Sequence, residues 1–267
     1  MRIGGWEFAP EQGPYIVGVV NLSPESPNQD AVVADVDAAV ARARRLVADG
    51  ARIVDVGAQS SHFAAARVAP QEEAARLAPA VRDLVAAGLL VSVDTWDAGV
   101  VQTAAAAGAH LINDSDGFQD PAVIEAVAAS RLPVVIPFVN GPDPRSMRPF
   151  DYDDPLAVML PWFEAALARA ERAGMRDVIL DPGTGYAQPH LSTEAKERFQ
   201  RRVYPALGRI AALGYPLLVA LPRKAGRETT LELARMIVAN GATFLRAHDL
   251  ALAIEALRAE RAAVPCR

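Results

Sequence analysis

Eight short apolar runs in this sequence end, or nearly end, on a polar residue that could do chemistry. Those residues are Asn21, Asp55, Asp94, Asn113 with Asp114, Asn140, Asp181, Lys224 just past the seventh run, and Arg246 with His248 at the eighth. They divide into two chemical groups. Asp94, Asn113, Asp181 and Lys224 offer two carboxylates, an amide and an ammonium. A carboxylate can accept two parallel N–H bonds from an amino-pyrimidine edge, so such a set can read a flat nitrogen heterocycle. Asn21, Arg246 and His248 make a separate donor-rich corner, in which the planar guanidinium fork suits a phosphate or a carboxylate. A heterocycle site beside an anion site points to a substrate carrying a phosphate ester. Each residue also has a plainer reading. Asp at a strand end caps helices or fixes turns, which applies to Asp55 and Asp114. Asn21 and Asn113 can serve as turn residues, and Asp181 precedes Pro-Gly. His62 reads as a surface loop histidine, His110 as a structural residue at a strand start, and Cys266 as inert.

The elements that must position these groups alternate. β-branched runs at 15–21, 52–56, 89–94, 110–114, 133–138, 177–181, 216–221 and 243–247 are each followed by an alanine-rich helical stretch. The first helix is expected over 31–49, with Val33, Val36, Val40 and Val47 on one face at helical spacing and Gly50 ending it. Others are expected over 70–87, 97–107, 121–130, 155–173, 194–213, 229–240 and from about 248 to 262. The runs are continuously apolar, as strands buried on both faces are. Eight strand–helix units at this length predict an α/β fold, a (β/α)8 TIM barrel in one domain over 1–267. An open doubly wound sheet usually carries a glycine fingerprint after its first strand, and none is present. A barrel gathers its chemistry at the C-terminal ends of its strands, where the polar residues stand. The longest irregular loop, 140–154, belongs to the same face.

Composition narrows the class. The 267 residues carry 27 Lys and Arg against 32 Asp and Glu, a formal charge of -5, which argues against a dedicated nucleic-acid binder. One cysteine excludes a disulfide framework and a cysteine-based metal site. Without an apolar signal region or a membrane-length apolar run, the expectation is a soluble cytoplasmic protein. Lys196 and Lys224 are the only lysines in a strongly Arg-biased chain, which hints at a specific need for an ammonium group.

The motifs VVNLSPES (19–26), IVDVGAQSS (53–61), VSVDT (91–95), LIND (111–114), LDPGTGY (180–186), Arg223–Lys224 and LRAHD (245–249) follow one another in an order and at spacings that resemble the dihydropteroate synthase family. The resemblance covers about 15–257. It implies condensation of 6-hydroxymethyl-7,8-dihydropterin pyrophosphate with p-aminobenzoate in folate synthesis, with release of pyrophosphate. It assigns Asp94, Asn113, Asp181, Gly185 and Lys224 to the pterin, and Asn21, Arg246 and His248 to the pyrophosphate. Lys224, Arg246 and His248 become the catalytic residues, and Mg2+ bridges the pyrophosphate with Asn21 as its protein ligand. The family also implies a homodimer through the last helices, with no nucleic-acid or membrane partner.

Departures from the family pattern include two loops that build the amine pocket, represented here by Glu25, Ser61 and His62. An Asp of the first loop is Glu25 and its Phe is Pro27. An Arg-Pro pair of the second is His62–Phe63, which removes a bidentate fork and a permanent charge. Ala187–Gln188 replaces Gly-Lys, and Pro222 replaces Ser. Three expectations follow. One is a synthase using p-aminobenzoate or another amine. A second is a pterin-binding paralogue without synthase activity. The third is methyl transfer from a reduced folate to a corrinoid partner.

Overall fold

The computed structural model describes residues 1–222 and 225–263. A short antiparallel hairpin, β1 (Arg2–Ile3) and β2 (Trp6–Glu7), precedes eight parallel strands. These are β3 (Tyr15–Asn21), β4 (Ala51–Gly57), β5 (Val91–Thr95), β6 (Leu111–Asp114), β7 (Val134–Pro137), β8 (Val178–Asp181), β9 (Leu218–Ala220) and β10 (Phe244–Ala247). Their order in the sheet is β8-β7-β6-β5-β4-β3-β10-β9. An isolated bridge, Leu180 to Leu217, joins the two ends into a ring, supported by the Leu180 N–H donating to the Pro216 carbonyl at 2.9 Å. The expected (β/α)8 TIM barrel is therefore the fold.

Helices flank the strands: α1 (Val36–Ala48), α2 (Pro70–Ala86), α3 (Ala98–Ala106), α4 (Pro121–Ser130), α5 (Pro155–Arg172), α6 (Thr193–Val203), α7 (Leu207–Ala211), α8 (Arg227–Ala239) and α9 (Leu250–Ala263). Side-chain oxygens cap several of their starts. Asp35 accepts from the Ala38 N–H, Asp97 from Gly99 and Val100, Asp120 from Ala122, and Ser192 from Ala195. The outer core packs helices such as α2 (Leu77, Val81, Leu84) against strand residues such as Val54, Val56 and Val93.

Two helix expectations need correction. The first helix begins at Val36, not at 31, because residues 29–31 form a 3-10 turn and Val32 bridges Asn21. Its buried face is Ala39, Ala43 and Leu46, while Val47 is exposed; the smaller alanines let α1 lie close to β3 and β4. The helix expected over 194–213 is broken into α6, a 3-10 turn at Tyr204–Ala206 and α7. Pro205, which lacks an amide hydrogen and clashes with the preceding turn, sits at the break.

A second apolar cluster fills the barrel interior. Val17, Ile53, Leu111, Val135, Ile179, Leu218 and Phe244 come from seven different strands, and Ile3 and Phe8 join them from the hairpin end. Side chains two residues apart on a strand share a face. Stepping two residues on from Ile53, Leu111, Ile179 and Phe244 reaches Asp55, Asn113, Asp181 and Arg246; stepping two on from buried Ser92 reaches Asp94. The strand pleat itself thus lays a polar tier on top of an apolar one, at the C-terminal mouth.

Candidate active site

Arg246 is the hub of the polar tier. Its Nε donates to Asp55 Oδ2 at 2.7 Å and its Nη2 to Asp94 Oδ2 at 2.9 Å. Asn113 Nδ2 donates to the same Asp55 oxygen at 3.0 Å, and Ser115 Oγ to Asp94 Oδ1 at 2.6 Å. Burial pulls the Arg246 guanidinium down, but the facing Asp55 and Asp94 carboxylates outweigh it and raise it above its ordinary value, so it stays charged. Burial pushes the Asp94 carboxyl up to about 6 although Arg246 pulls it down. Asp181 is pushed up to about 7, again by burial, against the Gly183 N–H that donates to its Oδ1 at 2.7 Å. Asp55 emerges as a positioning group, not a helix cap, whereas Asp114 turns its own loop by accepting from the Phe118 and Asp116 N–H groups.

A cavity of about 380 Å3 opens above this tier. Its lining includes Asp94, Ser115, Asp181, Gly185, Tyr186 and Arg246 of the strand ends and the loops after them, the loop residues Ser61, His62 and Phe63, and Gln188, Lys196 and Gln200. His62 and Phe63 stack with ring centroids 4.5 Å apart. A Cβ on Gly185 would come within 2.8 Å of the Ala220 Cβ, so this position favours glycine. Burial raises the Tyr186 phenol well above its usual range, leaving it a neutral donor near Asp94 and Asp181. Tyr186, Ser115 and Lys196 were not singled out as site residues from the sequence. The motif ending at Tyr186 and the scarcity of lysine were the available signals. Lys196 Nζ donates to the Gly185 and Tyr186 carbonyls at 2.9 and 2.8 Å, fastening the loop that follows β8.

His248 lines the same cavity, and its Nδ1 lies 3.3 Å from Asp30 Oδ1. Arg42 joins this corner to β3 by donating to the Val19 and His248 carbonyls at 2.9 and 3.4 Å. Three expected site residues stand outside the cavity lining. Asn113 is buried behind it, bonded to Asp55. Asn21 Oδ1 accepts from the Ser23 N–H at 2.8 Å in a local turn. Glu25 is held by Arg76 of α2 through bonds of 2.7 and 3.0 Å and by Ser23 Oγ at 3.0 Å, which keeps its carboxyl down at about 2. The expectation that Glu25 helps form the amine pocket therefore meets a carboxylate engaged elsewhere. Lys224 lies outside the described residues.

The donor set speaks to the implied Mg2+. Among the described residues no group of three or more His, Cys, Asp or Glu side chains is placed to hold a metal ion. Asn21 Oδ1 already accepts the Ser23 N–H and keeps one further lone pair, so it could add a single oxygen to a Mg2+ carried in on phosphate but makes no resident cage.

Comparison with known proteins agrees with this geometry. The family described as pterin binding enzyme matches residues 17–259. The dihydropteroate synthase of Escherichia coli K12 is 31% identical, over 95% of this chain and 93% of its own. A Yersinia pestis dihydropteroate synthase solved with a sulfonamide drug superposes with a TM-score of 0.87 at 29% identity, covering 98% of both chains. The Xanthomonas albilineans dihydropteroate synthase solved with 4-aminobenzoic acid gives 0.80 at 30% identity, covering 95% of this chain and 94% of its own. With a family match over most of the length and a curated relative alike along nearly all of it, the chain belongs to the pterin-binding enzyme family, among the dihydropteroate synthases.

Proposed function

We propose that the protein joins a dihydropterin to an aryl amine. It takes 6-hydroxymethyl-7,8-dihydropterin pyrophosphate and p-aminobenzoate, or a close relative of that amine, and releases pyrophosphate. The observation that carries this reading is Arg246, which binds Asp55 and Asp94 while lining the same cavity as Asp181. One guanidinium thereby fixes Asp94, which can accept the heterocycle's N–H groups, and places a cation at the mouth.

In the reaction the methylene carbon loses its bond to the pyrophosphate oxygen, which leaves with the electron pair. The amine nitrogen forms the new carbon–nitrogen bond and then gives up a proton to water. Asp94 and Asp181, with Tyr186, hold the pterin edge in the cavity. Asn113 orients Asp55, and Asp55 orients Arg246. Arg246 and His248 meet the charge that grows on the departing oxygen, and fixed donors there lower the barrier without reorganising. Mg2+, when it binds with the pyrophosphate, neutralises part of that charge, and Asn21 is the protein oxygen proposed to meet it. Lys224 keeps the place beside the pterin ring that the family resemblance gives it. His62 and Phe63 form the aromatic wall against which the aryl amine packs. The chain works as a homodimer in this reading, with no nucleic-acid or membrane partner, in the cytoplasm. No helix among the described residues is long and apolar enough to cross a membrane.

Pyrophosphate release with the pterin pyrophosphate, Mg2+ and a panel of aryl amines tests the reading. Turnover with p-aminobenzoate or a related amine is expected. Pterin binding without turnover on any amine would leave a binding paralogue. Tight binding of methyltetrahydrofolate instead would favour methyl transfer. Sedimentation measures the dimer separately.

A further inference from the structure

Residues 58–69 bring Ser61, His62 and Phe63 to the cavity, yet this segment is largely irregular. Its carbonyls need donors, and one side chain supplies several of them. Arg145 reaches across from the loop between β7 and α5, 85 residues away from Ser60 in sequence. Its Nε donates to the Ser60 carbonyl at 3.0 Å, its Nη1 to Ala65 at 3.2 Å and its Nη2 to Ala66 at 3.3 Å and to Ser60 as well. Nη2 also lies 3.5 Å from Gln59 Oε1, the atom that accepts the Val68 N–H at 3.2 Å. Gln59 in turn donates to the fully buried Glu73 of α2 at 2.7 Å. Arg145 is buried, only 8% of the residue being exposed, with its guanidinium 5.6 Å from the centre of the Trp96 ring. A buried guanidinium spends all its desolvation cost on the groups it faces, so it favours the one loop arrangement that presents those carbonyls to it.

We propose that Arg145 is a positioning residue for the acceptor amine. It locks 58–69 in shape and so holds the His62–Phe63 wall in place before any ligand arrives. The kinetic half of this inference rests on the function proposed above; the structural half does not. Arg67, 62% exposed, also pairs with Asp143 at 2.8 Å between the same two loops, but an exposed pair of this kind adds little.

The test compares Arg145→Ala, Arg145→Lys and Arg67→Ala with the parent protein. Hydrogen–deuterium exchange is read on peptides covering 58–69 and on barrel peptides, with pterin binding and steady-state kinetics alongside. For Arg145→Ala, exchange in 58–69 should quicken at least tenfold while barrel peptides and pterin affinity stay within twofold. The KM for the amine should rise about tenfold, with kcat changed less than threefold. Arg145→Lys, which keeps the charge and stem but not the fork, should fall between, and Arg67→Ala should match the parent. Unchanged exchange in 58–69 in both Arg145 variants overturns the proposal. So does a uniform rise in exchange across the barrel in both, because that marks a general structural role. Should the parent show no synthase turnover, the functional reading fails while the exchange data still decide the loop.

Discussion

Replacing Asp181 with Asn should make the protein more stable and worse at binding pterin, and the two effects should part company with pH. Asp181 is 8% exposed, and burial lifts its carboxyl from 3.8 to about 7. A carboxyl whose folded value lies above its unfolded one stabilises the fold below pH 4, and that contribution is lost as pH rises through 7. About three pH units correspond to roughly 4 kcal/mol at pH 8. Asn is close in shape to the neutral acid and can still accept from the Gly183 N–H. Asp181→Asn should therefore recover much of that energy at pH 8 and almost none at pH 4. At roughly 2–4 °C per kcal/mol for a chain of this size, Tm should rise by several degrees at the higher pH. Binding should move the other way. A charge-assisted hydrogen bond contributes about 1.5–3 kcal/mol, and the Asn amide would set a donor against the pterin donors, so affinity should fall about 100-fold. In the parent, affinity should weaken about tenfold per pH unit below 7 as Asp181 takes up its proton. Below 6 the decline should steepen, because Asp94 then follows. Calorimetric titration with a dihydropterin from pH 5.5 to 8.5, with thermal melts at each pH, measures both. Equal pterin affinity in parent and variant at pH 8, or a variant less stable than the parent there, would refute the argument.

Other perturbations report on neighbouring contacts. Arg246→Met strands Asp55 as a buried charge and should cost about 3–5 kcal/mol in urea unfolding, with pyrophosphate release lost. Gly185→Ala puts a methyl group 2.8 Å from Ala220 and should cost about 1–3 kcal/mol in stability. It should also weaken pterin binding in a titration by narrowing the cavity. Glu25→Gln should leave pterin affinity unchanged and lower stability by about 1–3 kcal/mol at pH 7, as expected when a charge-assisted hydrogen bond between two largely buried side chains is lost. Because Arg76 depresses the Glu25 carboxyl to about 2, the difference from the parent should vanish in acid melts as pH falls from 4.5 through 2.

The polar tier was legible in the sequence because a strand's two-residue period is fixed by the backbone. Once the apolar runs are recognised, Asp55, Asp94, Asn113, Asp181 and Arg246 must share the inner face of any barrel they form. Which of them would touch a ligand was less legible. Asp94 lines the cavity, whereas Asn113, whose amide can both donate and accept, is buried and donates to Asp55. Loops carry no such period. Nothing near Arg145 announces that it will meet Ser60, since that contact depends on how two loops fold over the mouth. Nor does the sequence announce that Glu25 will be held by Arg76 of α2. The start of α1 was misjudged because Val33 continues an apolar spacing that the chain interrupts with a turn and a bridge.

The join between β8 and β9 gives the ring a preferred place to part. Elsewhere neighbouring strands share runs of paired residues, whereas Leu180 and Leu217 meet in a lone bridge. Strain on the barrel should concentrate there, as a bracelet opens at its clasp. Asp181 stands on one side of that clasp and Ala220 on the other, and both line the cavity. A flat ligand spanning them would bridge the two sides of that clasp and reinforce a join already made without it.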